Sequence, residues 1–191
     1  MTSVPAMTVS IYRTPRGFDD LVLAADGDAM TGLWFEGSRN APEVRPGGGA
    51  RETPVLRETR RWLDAYFSGR QPDFAPSYRI DGLTPFRRDV VDAILAIPFG
   101  ATATYGDIAA AIARKRGLAR MSAQAVGQAV GWNPICLVVP CHRVVGAAGA
   151  LVGYGGGLRN KVALLRLEAA GRGVSADRSA SSRRPAPRGR T

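Results

Sequence analysis

Hydrophobic and polar residues alternate along the first part of the chain and then change to helical spacing. Three stretches have the alternation typical of β-strands: residues 7–13, 20–25 and 29–35. The sequence Asp-Gly-Asp at 26–28 predicts a hairpin turn between the last two of these strands. Residues 53–70 instead place apolar side chains at helical spacing, with Gly69 as a stop signal, which predicts an amphipathic helix.

A proline-rich stretch at 71–82 predicts a linker, and the pattern beyond it is mostly helical. The predicted helices are residues 84–100, 104–117, 120–134 and 158–171. The first of them begins with a Thr-Pro capping signal, and the middle two are joined by a short turn, which is typical of a helix-turn-helix. Before the last helix, residues 135–145 have the pattern of a buried strand broken by Pro140, and residues 146–157 form a glycine-rich loop.

These elements predict an α+β protein built from two parts. We expect residues 1–80 to form an N-terminal α/β domain and residues 81–171 to form a mainly helical C-terminal domain that ends at a glycine cap. Residues 172–191 contain six arginines against one acidic residue, Asp177, and they lack apolar periodicity. We expect this basic tail to be disordered.

Composition narrows the class of protein. Of the 191 residues, 45% are hydrophobic, which is enough for a packed core. The formal net charge of +10 indicates a polyanionic partner such as nucleic acid, although a basic surface without any partner would have the same composition. Two cysteines are too few for a secreted disulfide framework, and neither a signal peptide nor a membrane-spanning run is visible. We therefore expect a soluble cytoplasmic protein, associated with the nucleoid.

The only histidine of the chain directly follows one of the two cysteines, at Cys141 and His142. A thiol becomes a nucleophile when a neighbour lowers its pKa or accepts its proton, and an imidazole can do this. Side chains of successive residues in a strand point to opposite faces, so we expect a turn at Pro140 and a bridging water between the two groups. Glu168 is the best acidic candidate to orient the imidazole. The alternative is that Cys141 is a buried, inert apolar residue, as free cysteines usually are.

Two other kinds of cysteine site fit the sequence poorly. A cysteine protease needs a histidine distant in sequence, and the chain has no second histidine. Cys136, Cys141 and His142 lie within seven positions and offer at most three metal ligands with poor reach. No metal site is therefore predicted.

The predicted helix at 120–134 is unusually rich in small residues: Ser122, Ala123, Ala125, Gly127, Ala129 and Gly131. A helix that identifies bases in the major groove normally presents long polar side chains. A face of small residues instead suits shallow insertion into a minor groove. Close packing against another helix would require the same face, so the residues alone leave both interpretations open.

Three segments together resemble one family: IPFGATATYGDIA at 97–109, NPICLVVPCHRVVG at 133–146 and GYGGGLRNKVALLRLE at 153–168. They resemble the O6-alkylguanine-DNA alkyltransferases, also called methylated-DNA–protein-cysteine methyltransferases. The resemblance is dense from Pro85 to Glu168 and weak before it. It implies an N-terminal ribonuclease H-like domain, then a helical domain with a winged-helix-like helix-turn-helix. It also implies direct, irreversible transfer of a methyl or larger alkyl group from O6-alkylguanine, or O4-alkylthymine, in DNA to Cys141.

The resemblance further implies a role for each site residue. Cys141 accepts the alkyl group, His142 activates it through water, Glu168 orients His142, Asn133 joins this network and Tyr105 donates a proton to the leaving guanine. The residues implied in contacts with DNA or the flipped base are Gln124, Ser122, Ala125, Arg120, Arg143, Val144, Tyr154 and Gly155. Gln124 stands where the family has an intercalating arginine. We expect a monomer that needs no cofactor and binds double-stranded DNA through the minor groove, with the damaged base flipped out.

Two rival functions use the same residues. A relative that binds damaged DNA without repairing it would have replaced the reactive cysteine, and Cys141 is present. The second rival is a basic DNA-binding protein whose Cys141 is only structural. Transfer of a methyl group to Cys141 would separate both from a repair protein.

Overall fold

The computed structural model describes residues 7–42 and 52–181 and has the mixed α+β architecture that the sequence predicts. The three predicted strands form one antiparallel sheet in the order β1-β2-β3. Their bounds are Thr8–Tyr12, Leu21–Asp26 and Ala29–Phe35. The hairpin predicted between the last two is confirmed, and Gly27 takes the left-handed conformation at its turn, with φ at 61°.

Helix α1, Pro54–Phe67, packs against this sheet. It begins at Thr53, whose side chain accepts a hydrogen bond from the backbone amide of Leu56 at 3.3 Å. Its inward face carries Leu56 and Leu63, which share one hydrophobic core with residues of the sheet and of the helices that follow. The core therefore runs without a break from the N-terminal sheet into the C-terminal part.

The C-terminal part, as far as Ser181, contains four more α-helices and two very short strands. The helices are α2 (Pro85–Leu95), α3 (Tyr105–Lys115), α4 (Ala123–Gly131) and α5 (Leu158–Ser181). The strands, β4 (Ala103–Thr104) and β5 (Val144–Val145), pair in parallel. Each of the first three helices begins at a hydroxyl residue that accepts a backbone hydrogen bond: Thr84, Thr104 and Ser122. Helices α3 and α4 pack against each other. No helix in the described ranges is both long enough and apolar enough to cross a bilayer.

The predicted strand at 135–145 is wrong for most of its length, although the segment is buried as expected. Only Ile135, which bridges to Leu33, and β5 at the far end are extended. Between them, Leu137 has a left-handed conformation with φ at 65°, and Pro140 leads into a 3₁₀ turn, Cys141–Arg143. The chain cannot stay extended because Pro140 lacks an amide for a ladder. The turn expected at Pro140 is confirmed.

The closing helix does not end at Gly171 as predicted, because α5 continues to Ser181. The residues beyond Gly171 include good helix formers and no proline before Pro185, so nothing local stops the helix. Gly171 is a close-approach residue rather than a cap, since a Cβ atom there would overlap the carbonyl oxygen of Gly69. Residues 182–191 of the predicted tail lie outside the described residues.

We expect Gly171→Ala to lower the free energy of unfolding by about 1–3 kcal/mol, the usual effect of overpacking, because α5 must move away from the end of α1. Chemical denaturation measures this. Gly106→Ala is the matched control, since a Cβ at this helical position would have its nearest contact at 3.5 Å, with the Thr104 hydroxyl. The control should be neutral or stabilising by up to about 1 kcal/mol. Equal effects in both variants would contradict the close approach.

Candidate active site

Cys141 begins the 3₁₀ turn, and the side chain of Asn133 holds that turn in place. The Asn133 amide donates hydrogen bonds to the Cys141 sulfur at 3.0 Å and to the Val139 carbonyl at 2.9 Å. Its carbonyl oxygen accepts from the Ile135 amide at 3.1 Å. One amide side chain therefore fixes the irregular backbone between α4 and the turn and also contacts the sulfur directly.

His142 follows Cys141 in the turn and is completely buried. Its Nε2 is 2.8 Å from Oε1 of Glu168 and 3.2 Å from the hydroxyl of Tyr66. Its other ring nitrogen, Nδ1, has no hydrogen-bond partner among the described residues. The imidazole therefore makes no direct hydrogen bond to Cys141, as the sequence predicts, and Nδ1 is the nitrogen available to accept a proton.

Glu168 is a fully buried carboxylate surrounded by donors. Its oxygens accept hydrogen bonds from Nε of Arg143 at 2.9 Å and from the backbone amide of Gly100 at 2.9 Å. The Tyr66 hydroxyl donates to Oε1 at 2.7 Å. Burial alone would raise the pKa of Glu168, but the hydrogen bonds and charges of His142 and Arg143 lower that pKa to about 2. The carboxylate is therefore ionised at neutral pH.

Burial also controls the other two ionisable groups of the site. Burial, together with the charges of Arg143 and Lys161, lowers the pKa of His142 although the hydrogen bond and charge of Glu168 act to raise it. Burial raises the pKa of the Cys141 thiol, which the hydrogen bond from Asn133 only partly offsets. At neutral pH the resting site therefore pairs a mostly protonated thiol with a neutral imidazole, a thiol and a base that can exchange one proton.

A pocket of about 450 Å³ opens over Cys141. Its walls come from both parts of the chain: Trp34, Phe35 and residues 38–40 from the N-terminal part, and Tyr105, Gly127, Gly131, Asn133, Cys136 and residues 153–156 from the C-terminal part. Aromatic rings and glycines dominate this lining. Such a pocket suits a flat, largely apolar group with polar edges.

Tyr105 and Tyr154 bring two hydroxyls to this pocket. Tyr105 is the first residue of α3 and is half-buried, and Gly127 of α4 faces its ring. Burial, and then the nearby Cys141, raise the pKa of Tyr105, so its hydroxyl keeps its proton at neutral pH. The Tyr154 hydroxyl is buried beside Cys141, where its capacity to donate a hydrogen bond lowers the pKa of the thiol. Gly155, beside it, is exposed at the rim.

The residues predicted to contact DNA fall into two groups. Ser122, Gln124 and Arg120 are exposed at the beginning of α4 and just before it, and Ala125 is half-buried there. Arg143 and Val144 lie elsewhere. Arg143 is only 8% exposed, and its guanidinium binds Glu168 and the Ile97 carbonyl, the latter at 2.7 Å. The Val144 side chain is buried, and its carbonyl accepts a hydrogen bond from Lys161 at 2.7 Å.

Sequence reasoning missed two residues of this site, Tyr66 and Lys161. Tyr66 occupies an inward position of an amphipathic helix, where an aromatic residue is ordinarily core. Its only signal is that a buried tyrosine hydroxyl needs a polar partner. Lys161 is fully buried and donates to the carbonyls of Val144 and Val152, the second at 3.2 Å. A lysine in a helix gives no local sign that it is buried, because lysine is mostly exposed.

Comparisons with known proteins find relatives of this chain in sequence and in structure. The family model for the DNA-binding domain of 6-O-methylguanine DNA methyltransferase matches residues 85–170. The methylated-DNA–protein-cysteine methyltransferase of Mycobacterium leprae is 42% identical over 148 residues, which cover 78% of this chain and 85% of the relative. That of Methanosarcina acetivorans is 38% identical over 162 residues, 85% of this chain and 98% of the relative.

A crystal structure of Mycobacterium tuberculosis OGT in complex with DNA has the same fold as this chain. It superposes with a TM-score of 0.69 at 36% identity, covering 86% of this chain and 93% of that chain. Similarity in sequence and in structure thus extends over most of both chains, and it includes the N-terminal part where the family resemblance of the sequence is weak. The chain belongs to the methylated-DNA–protein-cysteine methyltransferase family.

Proposed function

We propose that this protein repairs DNA by transferring an alkyl group from O6-alkylguanine, or O4-alkylthymine, to its own Cys141. One observation carries the proposal: the Cys141 thiol lies in a base-sized pocket, with a hydrogen bond from Asn133 and a buried imidazole–carboxylate pair behind it. A structural cysteine has no need of this arrangement. The names of the relatives support the same activity.

Activation of the thiol begins at His142. Nδ1 accepts the proton of Cys141 through a bridging water, because the imidazole makes no direct hydrogen bond to the sulfur. The resulting imidazolium keeps its Nε2 proton directed at Glu168, 2.8 Å away, and this carboxylate stabilises the new positive charge. Asn133 stabilises the thiolate by its hydrogen bond at 3.0 Å.

The transfer is an in-line displacement at the alkyl carbon. The sulfur forms a bond to this carbon while the bond between the carbon and O6 of guanine breaks, and the electron pair of that bond goes to the base. Tyr105 donates a proton to the leaving guanine, which would otherwise depart as an anion. The thioether does not hydrolyse, so each molecule acts once. No step requires a cofactor.

The DNA contacts follow from the placement of α4. We assign α3 and α4 to a winged-helix-like helix-turn-helix whose small residues, including Ala125, approach the minor groove. Ser122 and Arg120 lie at the exposed beginning of α4, where they can reach phosphates. The flipped base enters the pocket beside Tyr154 and Gly155, and the protein acts as a monomer. The burial of Arg143 against Glu168 supports a role for it in holding the carboxylate rather than in binding DNA.

The N-terminal part completes the pocket. Trp34 and Phe35 at the end of β3, and residues 38–40 after it, line the pocket together with residues of α4. We assign this part to a ribonuclease H-like domain.

Cys141→Ser should abolish transfer while DNA binding stays close to that of the wild type, because only the nucleophile is lost. Cys136→Ser is the matched control, since Cys136 lines the same pocket. The measurement is the mass of the intact protein and of the Cys141 peptide after incubation with O6-methylguanine DNA. Wild type and the control should each gain one methyl group. An unchanged wild-type mass would indicate a DNA-binding protein that does not repair.

Tyr105→Phe should slow transfer by about 100-fold, the lower end of general acid catalysis, and leave DNA affinity nearly unchanged. The reason is that a proton donor matters only as charge develops on the leaving base. Single-turnover rates and binding constants on the same duplex measure the two effects. Equal losses in rate and affinity would mean that Tyr105 merely contacts DNA.

Gln124→Ala should impair repair of duplex DNA and spare the reaction with free O6-alkylguanine, which needs no flipping. The exposed Gln124 amide can fill the gap that the flipped base leaves and can donate or accept at the orphaned partner base. The measurement is the ratio of the duplex rate to the free-base rate, and Gln124→Arg should maintain or raise this ratio. A parallel fall of both rates in Gln124→Ala would assign Gln124 to the fold and leave the gap to Arg120.

A further inference from the structure

The hydroxyl of Tyr66 reaches the buried pair of His142 and Glu168 from a helix far away in sequence. Tyr66 lies in α1, 76 residues before His142 and 102 before Glu168. It is 1% exposed. Its oxygen is 2.7 Å from Oε1 of Glu168 and 3.2 Å from Nε2 of His142, so it contacts both members of the pair.

Counting protons in this triangle leaves one arrangement. An ionised carboxylate can only accept, and the pKa of Glu168 at about 2 makes it ionised, so the single hydroxyl proton of Tyr66 goes to Glu168. The Tyr66 oxygen can then only accept from Nε2 of His142. Both neighbours of Nε2 are therefore acceptors, and this nitrogen must hold the proton of the neutral ring. Nδ1 is left with its lone pair.

The Tyr66 hydroxyl is fixed in position because its ring is packed on several sides. The ring stacks on Trp62 with centroids 5.3 Å apart, and it makes edge contacts with Phe99 and His142 at 6.0 and 6.4 Å. The charged groups that surround His142 are Glu168 and Lys161 of α5 and Arg143 of its own turn. All three persist when only the Tyr66 hydroxyl is removed.

We propose that Tyr66 is a positioning residue that selects the Nε2–H tautomer of His142 and so keeps Nδ1 able to accept the proton of Cys141. In the opposite tautomer the bare Nε2 would face the Glu168 oxygen at 2.8 Å with no proton between them. Donation from the Tyr66 hydroxyl to Nε2 would not compensate, because it would remove the hydrogen bond that this hydroxyl donates to Glu168 at 2.7 Å. The N-terminal part of the chain thereby contributes to reactivity as well as to the pocket wall. The effect on transfer rests on the proposed function, whereas the tautomer of His142 does not.

The test compares Tyr66→Phe with Tyr12→Phe, which keep all ring contacts and remove one hydroxyl each. Tyr12 is the matched control because its hydroxyl also donates to a carboxylate, Asp64, at 2.7 Å, and its ring stacks on Phe67. His142 is the only histidine in the chain, so nitrogen-15 NMR of its ring reports the tautomer without assignment of other residues. We expect Nε2–H in the wild type and in Tyr12→Phe, and a mixture with Nδ1–H in Tyr66→Phe.

The second readout is the rate of reaction with free O6-benzylguanine as a function of pH. Near pH 7 thiolate formation depends on Nδ1, so Tyr66→Phe should react about tenfold more slowly, a typical loss for a residue behind a functional side chain. At alkaline pH hydroxide removes the thiol proton without help from His142, so the rate of Tyr66→Phe should approach that of the wild type. Tyr12→Phe should follow the wild-type profile throughout.

Two results would overturn the proposal: Tyr66→Phe with an unchanged His142 tautomer, or a deficit that is the same at every pH, which is the behaviour of a residue that only packs. Failure of the wild type to react at all would instead overturn the proposed function. Failure of the proposed function can be distinguished from failure of the tautomer proposal, because the NMR measurement uses no substrate.

Discussion

The arrangement of the site depends on the burial of one ionised carboxylate, that of Glu168. Removing such a group from water costs several kilocalories per mole unless protein donors replace its hydration. Those donors come from three places outside α5: Tyr66 of α1, the Gly100 amide after α2, and His142 with Arg143 in the 3₁₀ turn. Loss of any one donor leaves the buried charge with too few hydrogen bonds. The carboxylate therefore determines how these elements pack, and it also determines which way the imidazole faces.

A second polar centre, Asn133, supports the turn from the other side. The segment between it and Cys141 is strained, since Leu137 is in the left-handed region at a cost of about 1–2 kcal/mol. The strain persists because the Asn133 side chain satisfies backbone groups of this segment, at Ile135 and Val139, that a regular strand would have paired. The irregular backbone places the sulfur in the pocket and the imidazole behind it, although the two residues are adjacent.

Local patterns predicted the elements, while partners distant in sequence decided the details of the site. Alternation and capping residues such as Thr53 act within a few positions, so the strands and most helix starts could be read from the sequence. The left-handed Leu137 depends on packing, and no local signal indicates it. Gly171 was a misleading stop signal, because this glycine is required for the close approach to Gly69 and does not end α5. The family resemblance implied a DNA contact for Arg143, and no local signal in the sequence indicates that its guanidinium is buried. Only the position of Glu168 shows that its charge is used internally.

The electrostatics of the site suit a nucleophile that can be used only once. Reaction with any other electrophile would waste the molecule, and a permanently ionised, accessible thiolate would invite it. Burial avoids this by raising the pKa of Cys141, so that ionisation depends on proton transfer to His142. The pocket over the sulfur further limits access to groups that fit between its aromatic and glycine walls. The reactivity of the thiol thereby depends on whether a base occupies the pocket. A bound base brings the alkyl group to the sulfur and also excludes bulk water from it. Exclusion of water strengthens the charge interactions that activate the thiol.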